Sequence, residues 1–160
     1  METPFSIRDA RAEDLPSLAA LEWANARPLL DIPRDEEGFK ADCLAHLRKS
    51  LEEGAPLLVC EDAEGLAGFC CCSFPPGATD MLSFDSVQVS PRRQKQGLAT
   101  LLTDSLLWRL RTEGRVCRLL VKIRRDSPAV ALYRSLGFVE MESFSATHFV
   151  LEFLLRPHSG

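Results

Sequence analysis

The chain has 160 residues, of which 46% are hydrophobic and 26% charged, with a formal net charge of −4. Length and composition predict one domain over residues 1–160, large enough for a substantial core. No apolar run reaches the roughly 20 residues of a membrane span, and the N-terminus lacks the basic-then-apolar pattern of a signal peptide. We therefore expect a cytoplasmic protein without a membrane partner. An acidic chain that lacks a basic stripe interleaved with aromatic residues also argues against nucleic acid as a partner.

The N-terminal half predicts a strand, two helices and a hairpin. A short strand at Phe5–Asp9 precedes a helix that opens at Ala12, and a proline-punctuated loop covers residues 25–34. A second helix then places apolar residues on one face. These residues are Phe39, Cys43, Leu44, Leu47 and Leu51. Two strands, Pro56–Glu61 and Leu66–Phe74, form the hairpin.

The C-terminal half continues the mixed order of strands and helices. An alternating apolar strand, Met81–Val89, leads through a polar loop into an amphipathic helix at Gly97–Arg111. A further strand at Val116–Ile123 precedes a short helix around Tyr133, and two strands close the chain. The closing strands are predicted at Phe138–Glu142 and Thr147–Leu154. The pattern is that of one α/β (α+β) domain without repeats or linkers.

The six cysteines do not form the pattern of a disulfide framework. Cys70, Cys71 and Cys72 are consecutive in an apolar stretch, and neighbours in a strand point to opposite faces of a sheet. The cysteines also lack metal-ligand spacing, and no histidine lies near them in the sequence. We therefore predict small buried thiols of a reducing compartment, and no metal site.

The loop that follows the strand Met81–Val89 has the character of a phosphate site. Gly97, at the start of the next helix, lets a ligand approach the backbone closely because glycine has no Cβ atom. The free amides of the first helical turn, with the positive end of the helix dipole behind them, favour an anion. Arg92, Arg93 and Lys95 add cations that we expect to be mobile. The spacing matches neither a P-loop nor a dinucleotide-binding turn.

Two segments resemble the signatures of the GCN5-related N-acetyltransferase (GNAT) superfamily. The first signature is Gln/Arg-x-x-Gly-x-Gly/Ala, and it is matched here by Gln94, Gly97 and Ala99. The second is Asn-x-x-Ala-x-x-Leu-Tyr-x-x-x-Gly-Phe, and it is matched by Ala129, Leu132, Tyr133, Gly137 and Phe138. The order and separation of the two segments also fit, so the chain is identified as a member of this superfamily. Asp126 departs from the second signature, which usually has asparagine there.

The resemblance implies a GNAT fold, in which helices flank a central, mostly antiparallel mixed sheet. Its fourth and fifth strands splay apart, and the pantetheine arm of coenzyme A lies in that opening as an added strand would. By position, Val87 and Val89 would pair with the arm through their backbone, while their side chains pack into the core. The implied cofactor is acetyl-CoA. Its predicted contacts are Val87, Val89, Gln94, Lys95, Gln96, Gly97, Leu98, Ala99, Thr100 and Asp126.

Charge is distributed unevenly along the chain. The first 85 residues contain 7 Lys and Arg against 17 Asp and Glu, whereas residues 86–160 contain 12 against 6. A basic C-terminal half suits a polyanion such as coenzyme A. The acidic N-terminal half suits a cationic amine substrate, although ordinary solvated surface charge explains it equally well.

The chemistry of the superfamily implies a general acid. Tyr133 is the only tyrosine in the chain, and the motif places it beside the thioester sulfur. A phenol with its ordinary pKa of about 10 is protonated at neutral pH and can give a proton to the leaving thiolate; a half-buried tyrosine that only packs on the sheet is the alternative. A fourth-strand amide near Val87 could stabilise the oxyanion.

The general base has no direct counterpart among the glutamates that other superfamily members use. Those glutamates lie on strand four or strand five, where this chain has Ser83 and Val121. Asp85 lies two residues beyond Ser83, on the same face of the strand, and is therefore the candidate base; a capped or solvated carboxylate is an equal alternative. Weaker candidates are Glu22 and His148. His46, on the second helix, is expected to be a surface residue.

These observations predict an acetyl-CoA-dependent N-acetyltransferase that moves an acetyl group to a primary amine of a small molecule or peptide. Direct attack in a ternary complex is expected, because no cysteine has the setting of a nucleophile. The alternative is a non-catalytic acyl-CoA-binding or regulatory module of the same fold. An enzyme acting on aminoacyl-tRNA is disfavoured by the acidic N-terminal half. Acceptor specificity is expected in the loops of residues 22–40, and the closing strands could pair in a homodimer.

Overall fold

A computed structural model of the chain describes residues 4–143 and 145–155. They contain seven strands and four α-helices, with short 3-10 turns at Ala12–Asp14, Arg27–Leu29 and Pro91–Arg93. The strands are β1 Ser6–Asp9, β2 Leu57–Asp62, β3 Gly65–Ser73, β4 Met81–Val89, β5 Arg118–Arg124, β6 Val139–Ser143 and β7 His148–Leu154. The helices are α1 Leu15–Ala26, α2 Glu36–Glu52, α3 Leu98–Glu113 and α4 Ala129–Leu136.

The predicted elements agree with the observed ones in type and order, and the differences are at their ends. α1 begins at Leu15 because a 3-10 turn precedes it, and that turn is held by charge. Asp14 accepts a hydrogen bond from the Arg11 N–H at 2.7 Å and pairs with Arg8 at 2.8 Å. The predicted loop at residues 25–34 begins later than expected, because α1 runs to Ala26 and a 3-10 turn follows it.

The seven strands form one sheet in the order β1-β2-β3-β4-β5-β7-β6. All neighbouring pairs are antiparallel except β4 and β5, which run parallel. This arrangement confirms the predicted mostly antiparallel mixed sheet with flanking helices. Among the described residues, no helix is both long enough and apolar enough to cross a membrane.

β4 and β5 pair with each other only where they begin. The paired residues are Met81 with Arg118, Leu82 with Leu119, and Ser83 with Leu120. β4 then continues to Val89 and β5 to Arg124 without further pairing between them. The two strands therefore separate after Ser83, and a gap opens within the sheet, as the resemblance implied.

Two hydrophobic cores lie on the two faces of the sheet. Cys70 and Cys72 belong to the core that α3 and α4 cover, together with Leu102. Cys71 belongs to the core that α1 and α2 cover, together with Leu18. The predicted alternation of the three cysteines is thus confirmed. All three are fully buried, and burial raises the pKa of the Cys70 and Cys71 thiols to about 12, so both stay protonated at neutral pH.

Gly137 ends α4 in the left-handed region, at a φ of +108°, and a Cβ atom added there would lie 3.1 Å from Cε2 of Phe153. We expect Gly137→Ala to lower the free energy of unfolding by about 1–2 kcal/mol for the left-handed conformation alone, and by more in total because the added methyl group crowds Phe153. Urea unfolding would measure this loss. Gly54→Ala is the matched control, since its φ is +73° but nothing lies within 4 Å. Equal losses in the two variants would show that the Phe153 contact contributes nothing.

Candidate active site

The loop between β4 and α3 has an uncommon backbone. Gln94 is extended, whereas Lys95 and Gly97 adopt left-handed conformations at φ values of +65° and +79°. Within the described parts of the chain, Lys95 is the only residue other than glycine with a positive φ. A left-handed residue turns neighbouring N–H groups of a loop toward a common point, and such a concave group of amides binds anions.

The first turn of α3 adds further free amides to this loop. The N–H of Leu101 donates to the carbonyl of Gly97 at 3.0 Å and makes the first hydrogen bond of the helix. The N–H groups of Leu98, Ala99 and Thr100 therefore have no partner within the helix. No atom lies within 4 Å of the position that a Cβ atom on Gly97 would occupy, so the approach to these amides is open. The geometry suits a phosphate or pyrophosphate group.

Arg92 and Arg93 are not the mobile cations that the sequence suggested. Arg92 Nη1 lies 2.9 Å from Asp62 Oδ2 and 3.0 Å from Glu64 Oε2, and Arg93 Nε lies 2.7 Å from Asp62 Oδ2. The Asp62 side chain is only 1% exposed. Its hydrogen bonds with Arg92 and Arg93 hold the pKa of its carboxyl well below the ordinary value. The two arginines therefore fasten the loop to the turn between β2 and β3.

Gln94, a predicted cofactor contact, is hydrogen-bonded to the end of β4 and to α1. Its Nε2 lies 3.3 Å from the carbonyl of Val89 and 3.3 Å from Asn25 Oδ1. Asn25 Nδ2 in turn donates to the Val89 carbonyl at 3.0 Å and to Gln88 Oε1 at 2.9 Å. The Asn25 amide is therefore a node, which we call the Asn25 node, that connects α1, β4 and the loop. No local pattern predicts it, because Asn25 lies 63 to 69 positions from its three partners along the chain.

The peptide groups of Val87 and Val89 face the gap between β4 and β5. The N–H of Ser90 donates to the carbonyl of Ala67 at 2.8 Å, so Ser90 is hydrogen-bonded to the β3 side. Because alternate residues of an antiparallel strand point their N–H and C=O groups to opposite sides, those of Val89 and Val87 point away from β3. Their side chains are half-buried and pack against the core under α3. This is the orientation needed to pair with an added strand.

A bulge in β4 places Asp85 at the point where the sheet opens. Cys71 pairs with Ser86 and Cys72 with Phe84, so Asp85 has no partner in β3. Bulges of this kind redirect a side chain and are frequent beside active sites. As alternation predicts, Asp85 lies on the same face as Ser83, whose hydroxyl donates to Asp85 Oδ1 at 2.8 Å.

His46 is the residue that sequence reasoning missed. It is exposed, as expected, with 47% of its side chain accessible, but its Nε2 lies 3.0 Å from Asp85 Oδ2. The two residues are 39 positions apart, and only the packing of α2 on the sheet brings them together. Cys71 lies under the pair. Its Sγ atom, a ring nitrogen of His46 and a carboxylate oxygen of Asp85 all lie within 4.8 Å of one another. Cysteine spacing in the sequence could not reveal this cluster, because each residue comes from a different element.

Tyr133 lies on the opposite face of the sheet from Asp85. Its ring contacts Phe84 at 5.8 Å and Phe138 at 5.3 Å between centroids, and only 4% of the residue is exposed. Burial raises the pKa of the Tyr133 hydroxyl to about 12. No described residue forms a hydrogen bond with that hydroxyl, and no described side-chain oxygen or nitrogen is both fully buried and unpaired. The Tyr133 hydroxyl is therefore protonated and free to donate.

The other candidates for the base have different settings. Val121 is buried in the core under α3, so its position does not reach the face that carries Asp85. Glu22 accepts a hydrogen bond from the Cys43 thiol at 2.9 Å, and His148 is hydrogen-bonded to Thr147 at 2.9 Å.

Asp126 is paired with a neighbouring cation. Its Oδ1 lies 3.0 Å from Nε of Arg124, and both side chains are exposed. This hydrogen bond lowers the pKa of the Asp126 carboxyl and offsets its charge. Asp126 does not cap α4; the hydroxyl of Ser127 does, accepting the N–H of Ala129 at 3.2 Å. The contact of Asp126 with a cofactor stays a prediction.

Residues 53–140 match the family model of the acetyltransferase (GNAT) domain. The chain belongs to the GNAT acetyltransferases. The match spans the hairpin of β2 and β3, the gap between β4 and β5, the loop between β4 and α3, and the helix that carries Tyr133. No curated protein sequence matches the chain.

Solved structures share the fold at low sequence identity. A phosphinothricin acetyltransferase from Sinorhizobium meliloti, in complex with acetyl-CoA, has a TM-score of 0.76 at 20% identity and covers 99% of this chain and 92% of its own. A putative acetyltransferase from Salmonella typhimurium, with its cofactor acetyl-CoA, has a TM-score of 0.72 at 21% identity. The match covers 99% of this chain and 98% of that one. A ribosomal-protein-alanine N-acetyltransferase from Brucella melitensis has a TM-score of 0.73 at 23% identity. The match covers 93% of this chain and 99% of that one.

Asp62 and its ion pairs with Arg92 and Arg93, which we call the loop anchor, are sensitive to pH. Because the folded-state pKa of Asp62 lies below the ordinary 3.8, the anchor stabilises the fold fully above that pH, and its contribution is lost as the pH falls further. We expect Asp62→Asn to lower the melting temperature at pH 7, and the difference from wild type to shrink below about pH 4. Glu64→Gln is the control, because Glu64 is 69% exposed and should have little effect. Equal melting temperatures for wild type and Asp62→Asn at pH 7 would contradict the anchor.

Proposed function

We propose that the chain, as a single domain over residues 1–160, transfers an acetyl group from acetyl-CoA to a primary amine of a small molecule or peptide. The observation that carries the proposal is the gap that opens after Ser83, with peptide groups of β4 that pair with no strand on one side and the amides of the first turn of α3, which have no helical partner, at its end. A nucleotide-linked thioester needs both features. The acetyl-CoA complexes of structurally similar acetyltransferases support this choice of cofactor.

The cofactor contacts divide into two groups along the gap. The N–H groups of Leu98, Ala99 and Thr100, with the backbone of residues 95–97, would hold the pyrophosphate. The backbones of Val87 and Val89 would hold the pantetheine arm as an added strand. When bound, acetyl-CoA supplies an activated acetyl group. Gln94 would act indirectly, because its hydrogen bond to the Val89 carbonyl fixes the loop against β4.

The acid and the oxyanion donor would come from opposite sides of this gap. The Tyr133 hydroxyl, protonated and without a partner among the described residues, would give its proton to the departing sulfur. The N–H of Val87, which points into the gap, would stabilise negative charge on the acetyl oxygen. Both groups are held by packing before the substrate arrives, which lowers the cost of reorganisation during the reaction.

Direct attack of the amine is favoured over a cysteine intermediate. Burial raises the pKa of the Cys43, Cys70 and Cys71 thiols to about 12 and that of Cys72 well above its ordinary value. A thiol is a poor nucleophile until it loses its proton. We propose instead that Asp85, with its hydrogen-bonded partners, assists the loss of the amine proton in a ternary complex.

The experiment that tests this function is thiol release from acetyl-CoA against a panel of polyamines, amino acids, aminoglycosides and peptides with free N-termini. Release that depends on the acceptor would establish an N-acetyltransferase and its substrate class. Measurable coenzyme A binding without release for any acceptor would favour the second candidate, a non-catalytic acyl-CoA-binding module. The observation that favours that second candidate is the absence of glutamate at Ser83 and Val121. A homodimer through the closing strands stays a prediction.

Tyr133→Phe tests the acid. The ring contacts with Phe84 and Phe138 should persist, so we expect turnover to fall by about 100-fold, while the KM for acetyl-CoA stays the same. Because the Tyr133 pKa is raised to about 12, wild-type turnover should show no loss from this group up to about pH 10. Steady-state rates from neutral pH to pH 10 check both points. Unchanged turnover in the variant would remove Tyr133 as the acid.

Gly97→Val tests the amide cradle. A β-branched side chain strains the left-handed conformation and crowds the free amides, so acetyl-CoA affinity should fall by about tenfold or more. Gly77→Val is the matched control, because Gly77 has a φ of +77° and open space around it but lies outside the cradle. Calorimetric titration of both variants with coenzyme A gives the comparison. Retained affinity in Gly97→Val would refute the cradle.

A further inference from the structure

The hydrogen bond between His46 and Asp85 raises the question of which group holds the proton that the acceptor amine must lose. An ordinary carboxylic acid has a pKa of about 4 and an ordinary imidazole one of about 6.5, whereas alkylammonium groups such as that of lysine lie near 10. A base works best when its pKa is close to the working pH. On this ground a carboxylate alone is a weak acceptor for an ammonium proton, and an imidazole held by a carboxylate is a better one.

The geometry of the pair has the form of a base and its orienting group. His46 Nε2 lies 3.0 Å from Asp85 Oδ2, while Asp85 Oδ1 accepts from the Ser83 hydroxyl at 2.8 Å. With Nε2–H donating to the carboxylate, Nδ1 of the neutral ring carries the lone pair. The carboxylate side chain is 20% exposed and the imidazole 47%, so the imidazole is the more accessible of the two to a substrate or to water.

We propose that His46 is the general base of the acetyl transfer and that Asp85 is the residue that positions it. The proton of the acceptor ammonium moves to His46 Nδ1, directly or through one water, and leaves a neutral amine with its lone pair free to attack. The imidazolium that forms is stabilised by the Asp85 carboxylate and later returns its proton to solvent. This inference rests on the proposed function and assigns a more exact role to Asp85 within it.

The groups around the pair are compatible with this role. From β3, Cys71 contributes a protonated thiol that carries no charge. From α1, Glu22 lies near the same thiol, whose pKa is raised by burial and to a smaller extent by this carboxylate.

The charged groups on the neighbouring elements complete this environment. Asp42, one turn before His46 on α2, is paired with Arg34 at 2.6 Å and is therefore offset. Lys122 of β5 lies on the same sheet face by alternation from Leu120.

The test is the pH dependence of kcat/KM, with the acceptor identified by thiol release, for wild type, His46→Gln and His148→Gln. The wild type should lose activity as the pH falls, because a protonated imidazole cannot accept the proton of the amine. His46→Gln should lose this acidic limb and fall by about 100-fold at pH 8, with an unchanged KM for acetyl-CoA. His148→Gln should keep the wild-type profile, because His148 lies on β7 and bonds Thr147.

Two further measurements separate a chemical role from a structural one. Imidazole added to His46→Ala should restore part of the rate, because the site is exposed to solvent. Asp85→Asn should lower kcat and change the apparent pKa of the acidic limb without removing it. Melting temperatures and coenzyme A affinities of all variants should match those of wild type.

Each outcome decides a definite point. An active wild type whose acidic limb survives in His46→Gln would overturn the role of His46 and leave the acetyltransferase function standing. Loss of the limb in His148→Gln instead would assign the base to that residue. A wild type that binds coenzyme A but releases no thiol with any acceptor would overturn both the proposed function and this inference.

Discussion

The separation of β4 from β5 is the constraint on which the rest of the site depends. Parallel neighbours in a sheet normally satisfy each other's peptide groups along their whole length. Here the pairing stops at Ser83, and the peptide groups beyond it would be costly to leave without partners in a closed core. The bulge at Asp85, the loop after Val89 and the helix that carries Tyr133 all surround this one interruption. The gap is therefore part of the folded structure, and the hydrophobic cores on the two faces of the sheet maintain it.

Those layers divide the chemistry between the two faces of the sheet. Tyr133 belongs to the tightly packed core under α3 and α4, where burial favours the neutral phenol. Asp85 lies on the face beneath α2, where its carboxyl group contacts His46 and is partly accessible to solvent. The proposed acid and the proposed base therefore lie in two different environments, on opposite faces of the sheet. The buried thiols of Cys70 and Cys71, one on each face, stay protonated at neutral pH.

Local patterns in the sequence predicted the elements well and the long-range pairs poorly. The alternation of Met81–Val89 fixed the face of Asp85 relative to Ser83, and the turn chemistry placed Gly97 and Gly137 at helix ends. The pairing of Arg92 with Asp62 could not be foreseen, because a run of basic residues beside a phosphate loop looks the same whether or not it is already neutralised. The approach of His46 to Asp85 depends on how α2 lies on the sheet, which no local pattern encodes.

The Asn25 node has a consequence for how two ligands would influence each other. One side-chain amide holds the last turn of α1, the end of β4 and Gln94 together. α1 leads directly into the residues where acceptor specificity is expected, and Gln94 belongs to the phosphate loop. If the loop binds the cofactor as proposed, its occupancy and the conformation of residues 22–40 would therefore be linked. If binding of one ligand orders this node, the other ligand would bind more tightly by the same free energy. This coupling is reciprocal, so it does not depend on which ligand binds first.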